Sequence, residues 1–484
     1  MLDHVGSVAD WALEQFGMVD LGDVRRSRRL VSVAVALASF PGRSLPQLFD
    51  GWYDLKACYE LFKRKEASLD RIESGHWDLV AQSCRESGTY LFVEDTTYLD
   101  YTSHDSVSGL GRIGDDGGHG FVQHTTLALR EHTRAGALEP DFLVVGLAHQ
   151  KLWKREGPAR KGRESFSDRL QRPRESLVWS ESLSAIGPAP RDESVTWVMV
   201  GDRGADVIET LEGCRAQGFD FLIRACQDRA VYVRYDGEAD DPSPAAANDH
   251  LFSVARAVEV TGSYVANLRA RPGQPARQAH LQFGARLVRV RPPWRPGKGL
   301  GKGVWPRAWV IRVWETDAPE GVRPLEWILL TSLPVSDFDD VYLAISYYEA
   351  RWFIEDYHKC MKTGLRVESH QLKTADRLES LIALVAVVAV RLLALQQAAR
   401  VHPEAPASES GLSSLELDLV HRWYCRRHRV DTWNLGTLAK ALGKLGGHIG
   451  RRSDGPPGWQ CLWKGWLRLQ NMALGAELLD HEFG

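Results

Sequence analysis

The sequence lacks several features that would narrow its function class at once. Its seven cysteines form no CxxC pair and are odd in number, so a reduced cytosolic chain fits better than a disulfide framework or a zinc knuckle. The net charge of −3 gives no overall argument for a nucleic-acid partner and excludes none, because binding depends on where charge is concentrated. With 44% apolar and 25% charged residues, the chain has the composition of an ordinary soluble globular protein.

Long hydrophobic runs are also missing. The longest, Leu381–Val390, ends at Arg391 and is too short to cross a bilayer, so it predicts a buried helix. The first residues are acidic and contain no apolar stretch, and we therefore expect no secretory signal. A cytoplasmic protein without a membrane partner is expected.

The pattern along the chain predicts three domains. Residues 1–70 place apolar residues at helical spacing and end several segments in Arg or Lys, which favours a helical DNA-binding domain; solvated amphipathic helices are the alternative. Residues 71–400 contain most of the β-prone runs and a β-rich insertion at about 227–324. Within that insertion, residues 290–305 combine basic residues with tryptophan. Residues 401–484 begin with a linker and are expected to form a helical domain.

Two helices of the outer domains are predicted with approximate bounds. One lies near residues 55–65, and the last helix of the chain is predicted at about 458–472.

In the middle domain, the apolar runs predict the order strand, strand, strand, helix, strand, helix, strand. Asp95 stands at the end of the first strand, and Asp202 at the end of the fourth. This is the order of a ribonuclease H-like fold, whose core acids occupy those two places. The predicted fold class is therefore α/β, with a ribonuclease H-like catalytic core interrupted by the β-rich insertion and flanked by helical domains.

A third acid lies on a helix predicted from about residue 336 to residue 363. Tyr348, Arg351, Glu355, Lys359 and Lys362 are spaced by three or four positions, which places them on one face of about 80°. One face would thus carry an acid, three cations and a phenol. A solvated face with ordinary Glu–Lys pairs explains the same spacing.

We predict that Asp95, Asp202 and Glu355 form a metal-dependent catalytic site. Mg²⁺ prefers hard oxygen ligands, and two ions held by three carboxylates can activate water and stabilise a leaving oxygen at phosphorus. Glu94 is set aside because it should point to the opposite face of its strand. Asp206 is set aside because an acid in a first helical turn complements the helix dipole.

Several segments resemble one known family. The signature Tyr-(2)-Arg-(3)-Glu-(6)-Lys is met by Tyr348, Arg351, Glu355 and Lys362. Six further segments match in order: LGDVRR (21–26), VEDTT (93–97), GDRGAD (201–206), LLTSLPV (329–335), FIEDYHKCMKTG (353–364) and VAVRLLALQ (388–396). The sequence thereby resembles the bacterial DDE transposases of the insertion-sequence-four family, most closely the Tn-five type, from about residue 8 to residue 470.

The resemblance implies a reaction and its site. A cut-and-paste transposase would hydrolyse one strand at each inverted-repeat end, form and open a hairpin, and join the 3′-OH to target DNA. Asp95, Asp202 and Glu355 would bind two Mg²⁺ ions per site, with Mn²⁺ as a substitute. The protein would be associated with the nucleoid and act as a homodimer on double-stranded DNA, paired through its last helices. The implied DNA contacts are Tyr348, Arg351, Lys359, Lys362, Trp327, Arg25, Arg26, Arg29 and Arg43.

Two other functions remain open from the sequence alone. One is a DNA-binding relative that brings ends together without cutting them, and the other is a stand-alone metal-dependent nuclease. The presence of all three acids argues against the first, and the context of Trp327 and the Tyr-Arg-Glu-Lys face argues against the second.

Overall fold

A single large mixed sheet organises the chain. The computed structural model describes residues 8–114, 117–133, 139–155, 174–233, 249–268, 275–291, 294–295, 299–300, 306–451 and 454–482. The predicted basic, tryptophan-containing segment 290–305 therefore lies largely outside the described residues.

Five helices precede the first strand. The second has Asp23 as its N-cap, whose side chain accepts a hydrogen bond from the Arg25 backbone N–H, and this fixes where the helix begins. The predicted helix near residues 55–65 begins earlier, at Trp52, and ends at Leu61. These helices are α1 (Val8–Phe16), α2 (Val24–Ser39), α3 (Leu45–Leu48), α4 (Trp52–Leu61) and α5 (Leu69–Ser83).

The central sheet begins with antiparallel strands and continues with parallel ones. Strand β1 pairs antiparallel with β3 on one side and parallel with β5 on the other, and β5 pairs parallel with β6. The order β4-β3-β1-β5-β6 and the two intervening helices agree with the predicted sequence of elements. The elements are β1 (Gly88–Asp100), β2 (Gly111–Ile113), β3 (Gly118–His132), β4 (Asp141–Trp153), α6 (Val178–Ile186), β5 (Val195–Gly201), α7 (Ile208–Gln217) and β6 (Asp220–Arg224).

The predicted insertion extends this sheet rather than standing beside it. Within its described part, β13 pairs with β10, and β10 pairs with β9 and β7. The chain then returns through β14, which lies between β13 and β6. The elements are β7 (Ala230–Val233), β8 (Asp249–His250), α8 (Leu251–Arg256), β9 (Gly262–Leu268), β10 (Arg277–Val290), β11 (Trp294–Arg295), β12 (Gly299–Leu300), β13 (Arg307–Glu315) and β14 (Glu326–Thr331).

The helix predicted from residue 336 to residue 363 is not continuous. It consists of α9 (Phe338–Glu349) and α10 (Trp352–Lys359), separated by a tight turn in which Arg351 N–H donates to the Tyr348 carbonyl. One wide turn, Cys360–Gly364, follows and is closed by a 2.8 Å bond from Leu365 N–H to the Cys360 carbonyl. Both irregularities rotate the residues beyond them away from an ideal helix face.

A long apolar helix, α11 (Ala375–Val401), is packed inside the protein as predicted. By length and composition it could cross a membrane, but 83% of its most apolar window is buried. It shares one core with α1, α2 and one face of β1, where Leu91 and Val93 point. Tyr90 and Phe92 point to the other face of β1, into a second core with α6 and α7.

Three helices close the chain around a third, smaller core. The third of them is longer than the predicted 458–472. They are α12 (Ser414–Cys425), α13 (Leu435–Leu445) and α14 (Trp459–Glu482).

Candidate active site

The first predicted acid, Asp95, lies inside β1 and not at the end of the strand as predicted, because β1 continues to Asp100 through its pairing with β3. It lies just past the point where β1 stops pairing with β5. Its carboxylate accepts a 2.8 Å hydrogen bond from the Thr96 backbone N–H. Burial and the nearby Asp202 carboxylate raise the pKa of Asp95 to about 6, although Arg351 opposes the shift. Asp95 therefore sits where an additional cation would stabilise its ionised form.

The second acid, Asp202, follows β5 directly. Its side chain accepts a 2.7 Å bond from Gly204 N–H and thereby caps the short helical turn Arg203–Ala205. Val93 of β1 and Val200 of β5 are paired, so Asp95 and Asp202, which follow them along the two chains, lie in one region, as parallel neighbours should.

The third acid, Glu355, lies on α10 and is joined to Asp95 through Arg351. One guanidinium nitrogen of Arg351 lies 3.4 Å from Asp95 Oδ2, and the other lies 2.8 Å from Glu355 Oε1. Burial alone would lower the pKa of Arg351, but the two carboxylates outweigh it and raise that pKa. Asp95 and Glu355, from two separate elements, therefore share one largely buried cation, and Asp202 acts on Asp95 through its charge.

The chemistry of these donors fits a hard divalent cation. Three carboxylates supply the oxygen ligands that Mg²⁺ and Mn²⁺ prefer, and burial together with the Asp202 charge raises the pKa of Asp95, which a bound cation would lower again. Among the described residues, however, no group of three or more His, Cys, Asp or Glu side chains already stands close enough to hold a metal. A cation bound here would share the carboxylates with Arg351.

An aromatic pair borders the acids. Trp327 on β14 is half-buried, and its ring meets that of Tyr348 at 5.6 Å in an edge-to-face contact. Burial raises the pKa of Tyr348, although Arg224 and Arg351 work against it. Arg224, at the end of β6, was not anticipated from the sequence, because its approach to Tyr348 depends on the pairing of β6 with β14.

Lys362 reaches the site by an unexpected route. The wide turn at Cys360–Gly364 directs its ammonium group to Thr97 Oγ1, at 2.9 Å, on the same strand as Asp95. Burial lowers its pKa, and Glu368, 3.9 Å away, partly counters this. An open polar groove beside it is lined by Lys362, Arg366, Glu368 and other polar residues.

Lys359 does not join the acids as the ideal helix face predicted. It is half-exposed and pairs with Asp356 at 2.9 Å. The break before α10 and the wide turn after it explain why one predicted face divides into separate contacts.

The amino-terminal arginines are far less buried than Arg351, and several have protein partners. Arg25 pairs with Asp23, and Arg29 pairs with Asp54 at 2.7 Å. Arg26 donates to the Leu21 carbonyl at 3.1 Å, and Arg43 lies over the Phe40 ring at 4.6 Å. Their predicted contacts with DNA stay predictions.

The two acids that the sequence argument set aside have structural partners. Glu94 is fully buried, and its carboxylate lies 3.1 Å from His124 Nε2. Asp206 lies before α7 rather than in its first turn; it pairs with Arg229 and accepts bonds from the backbone N–H groups of Cys226 and Gln227. The reason given for excluding Asp206 was therefore wrong.

Family models of transposase domains match two parts of the chain. Residues 8–67 match the family model described as transposase DNA-binding, which covers α1 to α4. Residues 188–391 match the model described as a transposase DDE domain, which includes Asp202 and Glu355 but begins after Asp95. The chain thus carries a transposase DNA-binding domain followed by a DDE domain, and it is a DDE transposase.

Proposed function

We propose that this protein is a cut-and-paste DNA transposase of the insertion-sequence-four family and of the Tn-five type. The observation that carries the proposal is the bridge of Arg351 between Asp95 and Glu355, together with the burial and the nearby Asp202 charge that raise the pKa of Asp95 to about 6. Such a cluster is costly without a bound cation and suits metal-assisted chemistry on a phosphodiester.

The proposed catalytic core is ribonuclease H-like. The strand order β4-β3-β1-β5-β6 supports this, with the first three strands antiparallel and the next two parallel to β1. The positions of Asp95 past the β1–β5 pairing and of Asp202 just after β5 support it as well.

In the proposed mechanism, Asp95, Asp202 and Glu355 would hold two Mg²⁺ ions, for which Mn²⁺ would substitute. Bound ions would activate the attacking oxygen and stabilise the leaving oxygen of an in-line displacement. Arg351 orients Asp95 and Glu355 and would offer its guanidinium to a phosphate. Lys362 is directed at the strand of Asp95, where a scissile phosphate would lie.

The proposed hairpin step uses Trp327 and Tyr348. A tryptophan that is only half-buried beside the acids can stack on an unpaired base, which is worth about 1–3 kcal/mol. Tyr348 supports its ring edge-on. The two hydrolysis steps, the hairpin and the final joining are all displacements at phosphorus, so one site serves them all.

The proposed partners are the inverted-repeat ends, target DNA and a second copy of this chain. Arg25, Arg26, Arg29 and Arg43 would contact the ends, and Lys359, which pairs with Asp356 at the surface and not with the three acids, would be an outer phosphate contact. The carboxy-terminal helices would join two copies on DNA. A cytoplasmic, nucleoid-associated location follows from this function.

The proposal is tested by incubating the protein with Mg²⁺ and a labelled duplex that ends in the element's own inverted repeat. Denaturing gels should show a nick and then a slowly migrating hairpin. Asp202→Ala should abolish both products while leaving the gel shift of the duplex unchanged, because Asp202 serves the metal ions and not the end sequence.

The other outcomes would each indicate a different function for this protein. A nick without a hairpin would indicate a metal-dependent nuclease, and a gel shift without any cleavage would indicate a DNA-binding relative. Wild-type cleavage by Asp202→Ala would refute the assigned site.

A further inference from the structure

The two strands that carry Asp95 and Asp202 stop pairing just before the acids. The β1–β5 ladder runs from Gly88 opposite Val195 to Val93 opposite Val200, and no later pair joins the two strands. Ladder hydrogen bonds therefore do not fix the distance between the two carboxylates. β1 itself stays paired with β3 past Asp95, so the gap that lacks ladder bonds lies between the two acids.

A fully buried imidazole lies on the opposite side of the sheet from the acids. His124 on β3 is opposite Thr96 in the strand register, and its Nδ1 lies 2.9 Å from Thr96 Oγ1. Its Nε2 lies 3.1 Å from Glu94 Oε2, and both side chains are 0% exposed. Glu94 and Thr96 flank Asp95, and the Thr96 N–H also donates to the Asp95 carboxylate. His124 therefore holds β1 on both sides of the acid.

The same imidazole also touches the support of Asp202. The rings of His124 and Trp179 meet edge-to-face with centroids 4.7 Å apart. Trp179 on α6 is buried beneath the turn that carries Asp202: a Cβ placed on Gly204 would lie 3.1 Å from its ring and 3.0 Å from Asp202 Oδ1. Gly204 thus fits between the indole and the carboxylate that its N–H binds.

We propose that His124 is a positioning residue for the metal-binding carboxylates, which it couples by binding Thr96 and Glu94 next to Asp95 and by packing on Trp179 beneath Asp202. It touches neither substrate nor metal. Burial lowers the pKa of His124 to about 3, so the ring is neutral and can accept at one nitrogen while it donates at the other. This inference rests on the proposed function, because it assumes that the acids bind metal.

The expected size of the effect follows from other metal sites. Removing a hydrogen-bond partner that orients a metal ligand commonly lowers metal affinity or activity by about 10–100-fold. His124→Phe keeps a ring against Trp179 but loses both hydrogen bonds. His124→Asn can still bind Thr96, because its amide lies near the position of Nδ1, and should recover much of the loss. Thr96→Val removes one hydroxyl at an exposed position, where folding is not at risk.

The experiment measures Mn²⁺ binding directly. Each variant is bound to a pre-cleaved inverted-repeat duplex, which cannot turn over, and free Mn²⁺ is followed by its electron paramagnetic resonance signal. The expected result is a loss of Mn²⁺ affinity of about 10–100-fold for His124→Phe and about tenfold for Thr96→Val. The gel shift of the duplex and the thermal unfolding midpoint without metal should stay close to wild type for Thr96→Val.

His149→Phe is the matched control. His149 lies on the neighbouring strand β4, bonds Ser182 Oγ at 3.1 Å and packs on Trp77, but has no contact with the flanks of either acid. Equal losses in His149→Phe and His124→Phe would show a general packing effect and overturn the inference. Wild-type Mn²⁺ affinity in Thr96→Val and His124→Phe would overturn it too.

Asp202→Ala separates this inference from the function on which it rests. If Asp202→Ala loses Mn²⁺ binding and the His124 variants do not, only the positioning role fails. If Asp202→Ala binds Mn²⁺ like wild type, the proposed site fails and the positioning role fails with it. Should His124→Phe not fold, Thr96→Val decides the question alone.

Discussion

The active site and the amino-terminal helices both contain arginine–carboxylate pairs, and the surroundings of these pairs differ. Arg351 is 12% exposed and binds two acids at once, whereas Arg25 is 85% exposed and pairs only with the neighbouring Asp23. Arg29, 31% exposed, pairs with Asp54 from another helix. The chemistry of the pairs is the same, but the depth at which they are held sets how strongly they act.

The difference separates two tasks. A buried cation fixes the positions of carboxylates and changes their pKa, because little water screens it. A surface arginine can exchange its carboxylate for a DNA phosphate at little cost, since both partners are acceptors of similar charge. The charged groups of the active site are thus held by their protein partners, whereas the arginines of the amino-terminal helices can change partners.

The largest effect should follow from removing the buried cation. Without metal at pH 8, Arg351→Ala should lower the free energy of unfolding by about 2–3 kcal/mol, because Asp95 and Glu355 lose their shared partner. Urea unfolding measures this change. Added Mg²⁺ should narrow the gap to wild type, and Arg351→Lys, which keeps a charge but cannot bridge both acids, should fall between. An unchanged unfolding curve would show that the bridge of Arg351 between Asp95 and Glu355 does not contribute to stability.

A smaller effect of opposite sign should follow from neutralising Asp95. Its pKa is raised from an ordinary 3.8 to about 6, so its ionised form is disfavoured in the folded state. The contribution of the Asp95 side chain to the free energy of unfolding is fully present below pH 4 and is lost as the pH rises through 6. Asp95→Asn should therefore stabilise the metal-free protein by about 1–2 kcal/mol at pH 8 and by nothing at pH 4.

Urea unfolding at the two pH values checks this prediction. The control is Asp356→Asn, which neutralises an acid on the same helix as Glu355 that pairs with Lys359. A stabilisation that is equal at both pH values would contradict the electrostatic cause. Cleavage by Asp95→Asn should be lost at every pH, so the variant would be more stable and inactive.

The smallest effect on stability is expected at the surface. Arg29→Ala should change the free energy of unfolding by less than about 1 kcal/mol. It should nevertheless weaken binding to the inverted-repeat duplex and reduce the slope of log affinity against log salt by about one. Asp54→Ala, which frees Arg29, should leave that slope unchanged. An Arg29→Ala slope equal to wild type would remove Arg29 from the DNA contacts.

Local sequence patterns predicted the strands and helices of the core better than the contacts between them. Asp202 follows β5 directly, as predicted from the change of composition after the apolar run, whereas β1 continues past Asp95 to Asp100 and only its pairing with β5 ends before the acid. The buried helix around Leu381–Val390 was predicted for the same reason. Both features depend on residues that are close together in the chain.

Long-range and irregular features escaped the sequence. The helix break before α10 and the wide turn after it contain no proline that would reveal them. Lys359 was therefore predicted to lie with the acids but pairs with Asp356, and Lys362 contacts Thr97 on the strand of Asp95. His124 lies in a strand of apolar and threonine residues, where its two partners become visible only through strand register. The pairing of the insertion with the core sheet is equally a matter of distant contacts.

Because the chain returns through β14, the insertion occupies the position of the loop in an antiparallel hairpin formed by β6 and β14. Leu329, Leu330 and Thr331 pair antiparallel with Arg224, Ile223 and Leu222, so the chain leaves β6 and re-enters the sheet at neighbouring positions. A short turn could join these two strands directly, as in any antiparallel hairpin. The insertion could thus have been acquired, exchanged or enlarged in the course of descent without rearranging the strands that carry the acids.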